Sequence, residues 1–232
     1  MADSVNTLIA SKKRLIDGIA HELRTPLVRL RYRLAMSEGV APDEQERLNH
    51  DIAQLEGLID ELLTFARLDR PQVVLNLTAF DLPRWLGEKI EDMRTLHPER
   101  AIAQEVPAGG DFGPLDERLT ERVLDNLVNN TLRYSRQSIS IRLGQQGDWG
   151  YLQVDDDGPG IPAAERERIF EPFVRLDPSR DRTTGGCGLG LAIVHSIALA
   201  YGGEISVGES HLGGARFLFC WPLKSAAAFP HG

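Results

Sequence analysis

Apolar residues recur at Leu8, Leu15, Ile19, Leu23, Leu27, Leu30 and Leu34, in steps of seven, four, four, four, three and four. This spacing places one seam along a long helix, predicted over residues 5–37 and ending at the break marked by Gly39 and Pro42. A second seam, Leu48, Ile52, Leu55, Ile59 and Leu62, runs in steps of four, three, four and three and continues to Leu68 before Pro71. Asp43 and Glu46 are placed to cap that second helix. Two long helices joined by a short turn make an antiparallel hairpin. One hairpin with seams this regular buries only part of its apolar surface, so a second copy is the expected partner and two hairpins form a four-helix bundle. Docking of the hairpin on the rest of the chain is the alternative.

Beyond Pro71 the period changes. Val73, Leu75 and Leu77 alternate as in a strand, Asp81 is placed to cap a helix reaching Leu96, and residues 101–106 read as another strand. Helices over 115–134 and 188–201, and strands over 137–143, 151–155, 204–207 and 215–221, complete the pattern, with a turn expected over 144–150. The sequence therefore predicts an α+β protein: a helical hairpin in residues 1–70, a domain of helices layered on one mixed sheet in 71–224, and a small-residue tail in 225–232.

Composition narrows the function classes. The 232 residues are 42% hydrophobic and 26% charged, as in an ordinary folded protein, and the formal net charge is −8. Residues 1–70 carry ten of the 26 basic and twelve of the 34 acidic side chains, leaving sixteen and twenty-two for the remainder. An acidic second domain argues against non-specific nucleic-acid binding. Cys187 and Cys220 are too few and too unlike in setting for a disulfide framework or a zinc site, and fit a reducing compartment. The helical pattern begins almost at once, as expected of a piece of a longer chain.

Within the first seam, His21 lies two residues from both Ile19 and Leu23, which turns its ring away from the packed face. A neutral imidazole is a good phosphoryl or acyl acceptor, and the adjacent Glu22 can orient it and take up its proton. Pro26 loosens the helix beside it. On this octapeptide alone a surface histidine is an equal alternative.

The second domain carries polar and glycine signals beyond what packing requires. Asn126, Asn130 and Arg133 or Tyr134 share one face of a helix whose opposite face is Leu124, Leu127 and Val128. An amide oxygen such as that of Asn130 ligates Mg²⁺ without adding negative charge near phosphates. In Asp157-Gly158-Pro159-Gly160 a carboxylate can accept a hydrogen bond from an exocyclic amine while the glycines admit a planar base; a plain turn is the simpler reading. Phe170-Glu171-Pro172-Phe173 sets two aromatics about a proline. Gly186-Cys187-Gly188-Leu189-Gly190 opens a helix, where phosphates can approach backbone N–H groups. Asp177, Arg180, Asp181 and Arg182 lie between these last two stretches like a lid.

In this order the motifs resemble the catalytic region of bacterial two-component sensor histidine kinases over residues 8–223: an H-box at His21-Glu22-Leu23-Arg24-Thr25-Pro26, an N-box from Asn126 to Tyr134, two glycine boxes and an F-box. The stretch around Arg168 to Asp181 and Gly186-Cys187-Gly188 is similar to RstB-type sensor kinases in particular. The resemblance implies a dimeric four-helix bundle followed by a Bergerat-type α/β sandwich that binds ATP and Mg²⁺. It implies His21 as phosphoacceptor, Glu22 as base and Thr25 as the residue that orients water for phosphatase action. Asp157, Gly158 and Gly160 would receive adenine. Asn130 would hold Mg²⁺, with Asn126, Arg133 and Tyr134 beside the nucleotide. Arg175, Gly186, Gly188, Leu189 and Gly190 would border the triphosphate. The implied partners are a second copy and the receiver domain of a cognate response regulator, in the cytoplasmic portion of an inner-membrane protein anchored through segments outside this chain. A phosphatase-dominant regulator-binding protein and a Bergerat-type ATPase switch are the alternatives.

Overall fold

The computed structural model describes residues 42–68, 74–176 and 188–224, together with the helical residues 28, 30 and 32. His21, Glu22, Thr25 and Gly186 lie outside the described residues, as do Cys187 and the expected lid.

Helix α1, Pro42–Leu68, starts on a proline, whose missing N–H costs nothing in a first turn. Its seam divides. Ile52, Ile59 and Leu63 are buried in a cluster of their own, whereas Leu48 and Leu55 stay 40% and 48% exposed. The last turns leave that cluster and enter the main core through Leu62, Phe65 and Leu68, packing on α4 (Gly190–Ala200). The C-terminal end of the hairpin thus docks on the second domain, the arrangement that the regular seam had made the alternative.

Helix α2, Leu82–Leu96, is capped by Asp81, whose Oδ1 accepts from Arg84 N at 3.1 Å, and Leu82, Leu86 and Ile90 bury one face at fourfold spacing. Helix α3, Glu117–Tyr134, buries Val123, Leu124, Leu127, Val128 and Thr131. Helix α4 contains no charged residue and is covered by the sheet, α3 and α1, as an apolar helix must be.

The sheet contains β1 (Ala101–Glu105), β2 (Ser138–Gln146), β3 (Trp149–Asp156), β4 (Glu204–Glu209) and β5 (Ala215–Pro222), in the order β1-β2-β3-β5-β4. Only the β1–β2 pair is parallel. Alternation along the strands sends Ile139, Ile141, Leu152, Val154, Phe217 and Phe219 under the helices and Ser140, Arg142, Gln153, Asp155 and Arg216 to the other face. The β2–β3 turn is tighter than expected. Gly144 and Gly150 remain in strands because the rings of Tyr151 and Trp221 occupy the space that side chains there would need.

Of the strand expected at residues 73–77, the described residues 74–77 form none; Thr78, just after them, makes a single antiparallel bridge to Leu115. Its neighbour is the entry to α3 rather than a strand, so pairing cannot continue. Asp116 fixes that entry: Oδ1 accepts from Leu119 N at 3.2 Å, Oδ2 from Asn76 N at 3.0 Å, and its own N–H donates to the Tyr201 hydroxyl at 2.9 Å. Replacing Asp116 by Ala removes a cap and strands a second amide, so Asp116→Ala is expected to cost about 2 kcal/mol in denaturant unfolding. A loss below about 0.5 kcal/mol would show that these bonds are not limiting.

Candidate functional site

The polar centre of the second domain lies where β3 ends. Counting inward positions from Leu152 and Val154 brings Asp156 onto the helix-covered face, where it is 2% exposed. Its Oδ1 accepts from Gly158 N at 2.8 Å and from Ala215 N at 3.0 Å, and its main-chain carbonyl accepts from Gly214 N at 3.1 Å. The end of β3, the first glycine segment and the start of β5 are therefore tied to one carboxylate. The last turn of α3 closes the fourth side: a Cβ on Gly158 would lie 2.6 Å from the Tyr134 carbonyl oxygen and 2.9 Å from Asp156 Oδ1. Only a glycine fits there.

Asp157, expected to face a base, does something else. Its two carboxylate oxygens accept from the backbone N–H groups of Arg136 at 2.8 Å, Gln137 at 3.1 Å and Ser138 at 2.9 Å, fastening the exit of α3 to β2. The buried carboxylate at the sheet end is that of Asp156.

Ionisation separates the two aspartates. Burial pushes the Asp156 carboxyl above the ordinary carboxylate range, against the pull of the Ala215 and Gly158 amides and with repulsion from Asp157 and Asp155. Partial burial also pulls Asp157 upward, but the amides of Gln137, Ser138 and Arg136 outweigh it and hold this carboxyl below its ordinary value.

Helix α3 carries Asn126 and Asn130 half-buried, with Arg133 and Tyr134 exposed at its end. Asn126 Nδ2 donates to the Arg122 carbonyl at 2.7 Å, which aims Oδ1 at α4; a Cβ on Gly190 would come within 2.7 Å of it. The N-box and the second glycine box thus meet side by side. Among the described residues no side chain caps α4, and the start of a helix favours an anion.

The F-box supports this junction from outside. Phe173, in the left-handed region at φ 67°, donates its N–H to the Gly188 carbonyl at 3.0 Å, and Gly188, at φ 77°, packs against the Phe173 backbone and the Val174 carbonyl. The two stretches flanking the expected lid are joined at its base. Arg175 is exposed just beyond. Phe170 lies 6.0 Å from the His195 ring, whose pKa burial lowers.

Comparison with known proteins gives this arrangement a family. Residues 115–225 match the model for the Histidine kinase-, DNA gyrase B-, and HSP90-like ATPase, and residues 11–71 match the His Kinase A (phospho-acceptor) domain. The chain belongs to the sensor histidine kinase family. It is 60% identical to the sensor protein RstB of Escherichia coli strain K12 over 96% of this chain and 52% of that protein. The chain spans about half the length of the curated relatives it matches. Among solved structures, full-length ShkA in complex with AMPPNP is similar at a TM-score of 0.77 and 28% identity, over 93% of this chain and 47% of that one. The Acinetobacter baumannii histidine kinase AdeS is similar at a TM-score of 0.64 and 26% identity, over 88% of this chain and 98% of that one.

The structure sets Gly158 and Gly160 at the ends of β3 and α3, and Asn126 beside Gly190 at the start of α4, while His21 falls within the residues matched to the phospho-acceptor domain. Sequence reasoning missed Asp156 and Gly214. The signal for Asp156 was strand parity: an acidic residue two positions after Val154 occupies a core position. Among the described residues no helix is long and apolar enough to cross a membrane.

A raised native pKa means that the folded chain keeps a proton that the unfolded chain gives up, so stability should fall as pH rises from about 4 through the Asp156 value. Asp156→Asn cannot ionise and is expected to flatten that part of the profile in nucleotide-free thermal melts. An unchanged slope would assign the titration to another group.

Proposed function

We propose that this chain is the catalytic part of a sensor kinase that transfers the γ-phosphate of ATP to His21 and from there to an aspartate of a response regulator, and that it also removes that phosphate. The observation that carries this reading is the junction at Asp156, a buried carboxylate in a glycine cradle against the last turn of α3, the helix whose Asn126 faces Gly190 at the start of α4. Asp156, rather than Asp157, accepts the hydrogen bond from the adenine amine, through Oδ2. Asn126, Arg133 and Tyr134 line the nucleotide, the N–H groups around Gly186, Gly188, Leu189 and Gly190 meet the triphosphate, and Arg175 reaches the γ-phosphate.

Mg²⁺ fits the donors present. Among the described residues no group of three or more acidic, His or Cys side chains stands ready to hold a metal. Asn130 offers a neutral amide oxygen that leaves the remaining positions to phosphates and water. Bound there, the ion would neutralise charge on the transferring group.

Phosphoryl transfer needs in-line positioning and charge neutralisation more than covalent help. The neutral His21 nitrogen attacks the γ-phosphorus, the bond to the β–γ bridging oxygen breaks, ADP leaves, and Glu22 takes the imidazole proton. The phosphoryl group then passes to the regulator's carboxylate, and Thr25 orients the water that later hydrolyses it. A homodimer is supported by Leu48 and Leu55, seven residues apart and exposed on one side of α1. The family resemblance supports a whole protein at the inner membrane, with this part on the cytoplasmic side.

Incubation with γ-labelled ATP and Mg²⁺ tests the reading. An acid-labile, alkali-stable label on the unaltered chain, absent from His21→Ala, is expected. Nucleotide binding without any label would move the weight to a phosphatase-dominant protein or an ATPase switch.

A further inference from the structure

Thr131 breaks the pattern of the face it belongs to. On α3 it continues the buried row of Leu124, Leu127 and Val128, and it is itself 0% exposed. A threonine or serine in a helix ordinarily returns its hydroxyl to the carbonyl four residues earlier. Thr95, Thr120 and Ser196 do so here, each at 3.0 Å. Thr131 does not, and among the described residues its Oγ1 has no hydrogen-bond partner. A buried hydroxyl left in that state is costly, so a partner from outside the chain is expected.

Backbone contacts link Thr131 to the Asp156 end of the layer. Its carbonyl accepts from Ser135 N at 2.8 Å, and it precedes by one turn Tyr134, whose carbonyl abuts Gly158. Gly158 N is bonded to Asp156 Oδ1. Helix α3 packs over β3, both run toward this end, and Asp156 and Thr131 are buried polar residues on the facing sides.

We propose that Thr131 is a base-reading residue, donating a hydrogen bond to adenine N1 directly or through one water while Asp156 accepts from the 6-amino group. The acceptor and donor of the protein then match the donor and acceptor on that edge of adenine. Guanine presents the reverse order, setting its O6 against the carboxylate. The inference rests on the ATP reading above and adds to it the source of base discrimination.

Calorimetry on the full chain with ATP and with 1-deaza-ATP, which carries C–H in place of N1, separates the possibilities. The unaltered chain is expected to bind ATP about tenfold more tightly than 1-deaza-ATP, the value of one good hydrogen bond. The isosteric Thr131→Val should bind ATP about tenfold more weakly and lose the preference, while Thr131→Ser keeps both. A Thr131→Val protein that binds ATP normally, or an unaltered chain without preference for ATP over the deaza analogue, overturns the role of Thr131. Absence of ATP binding by the unaltered chain overturns this inference and the ATP reading together.

Discussion

The carboxylate of Asp156 is the group on which the junction of β3, β5 and the end of α3 depends. A single oxygen accepts the N–H groups of Gly158 and Ala215, so the exit of β3 and the entry to β5 hold each other at one point. Burying a carboxylate is unfavourable, and it is tolerated because charge-assisted hydrogen bonds to backbone amides replace much of the lost water. The surrounding residues follow from that choice. Gly158 and Gly214 are small because the carboxylate and the Tyr134 carbonyl fill the space about them, and Asp157 is free to fasten α3 to β2 because its neighbour faces inward.

From this point the remaining parts of the site are placed by packing. Helix α3 cannot shift without opening the contact of Tyr134 with Gly158, and α4 cannot shift without moving Gly190 off Asn126. The segment around Phe173 is bonded to Gly188, so both ends of the stretch between the F-box and the second glycine box are anchored to the same helix start. Docking of Leu62, Phe65 and Leu68 on α4 then joins α1, which lies within the residues matched to the phospho-acceptor domain, to the helix that starts beside Asn126.

Much of the fold was legible because local chemistry and global packing agree. Asp81 caps the helix that follows it, as its position predicts, the fourfold spacing of Leu82, Leu86 and Ile90 marks a buried face, and strand parity tells which side of β2, β3 and β5 is apolar. The failures have particular causes. Residues 73–77 alternate like a strand but meet a helix entry instead of a sheet edge. The regular seam of α1 read as a bundle seam throughout, yet its last turns pack on α4, a partner that no periodicity within α1 can reveal. Asp155, Asp156 and Asp157 have the same side chain in succession, so only the phase of the strand tells that Asp156, beside the Asp157 that the glycine motif singles out, is the one that turns inward on the helix-covered face.

Titration of ATP into the Asp156→Asn and Asp157→Asn proteins is the most direct test of the role given to Asp156. Asp156→Asn should lose ATP binding by at least about a hundredfold, since an amide can present its N–H₂ to the adenine amine and the charge is gone. Asp157→Asn should bind ATP nearly as the unaltered chain does while melting at lower temperature. Loss of binding in Asp157→Asn with normal binding in Asp156→Asn would contradict it.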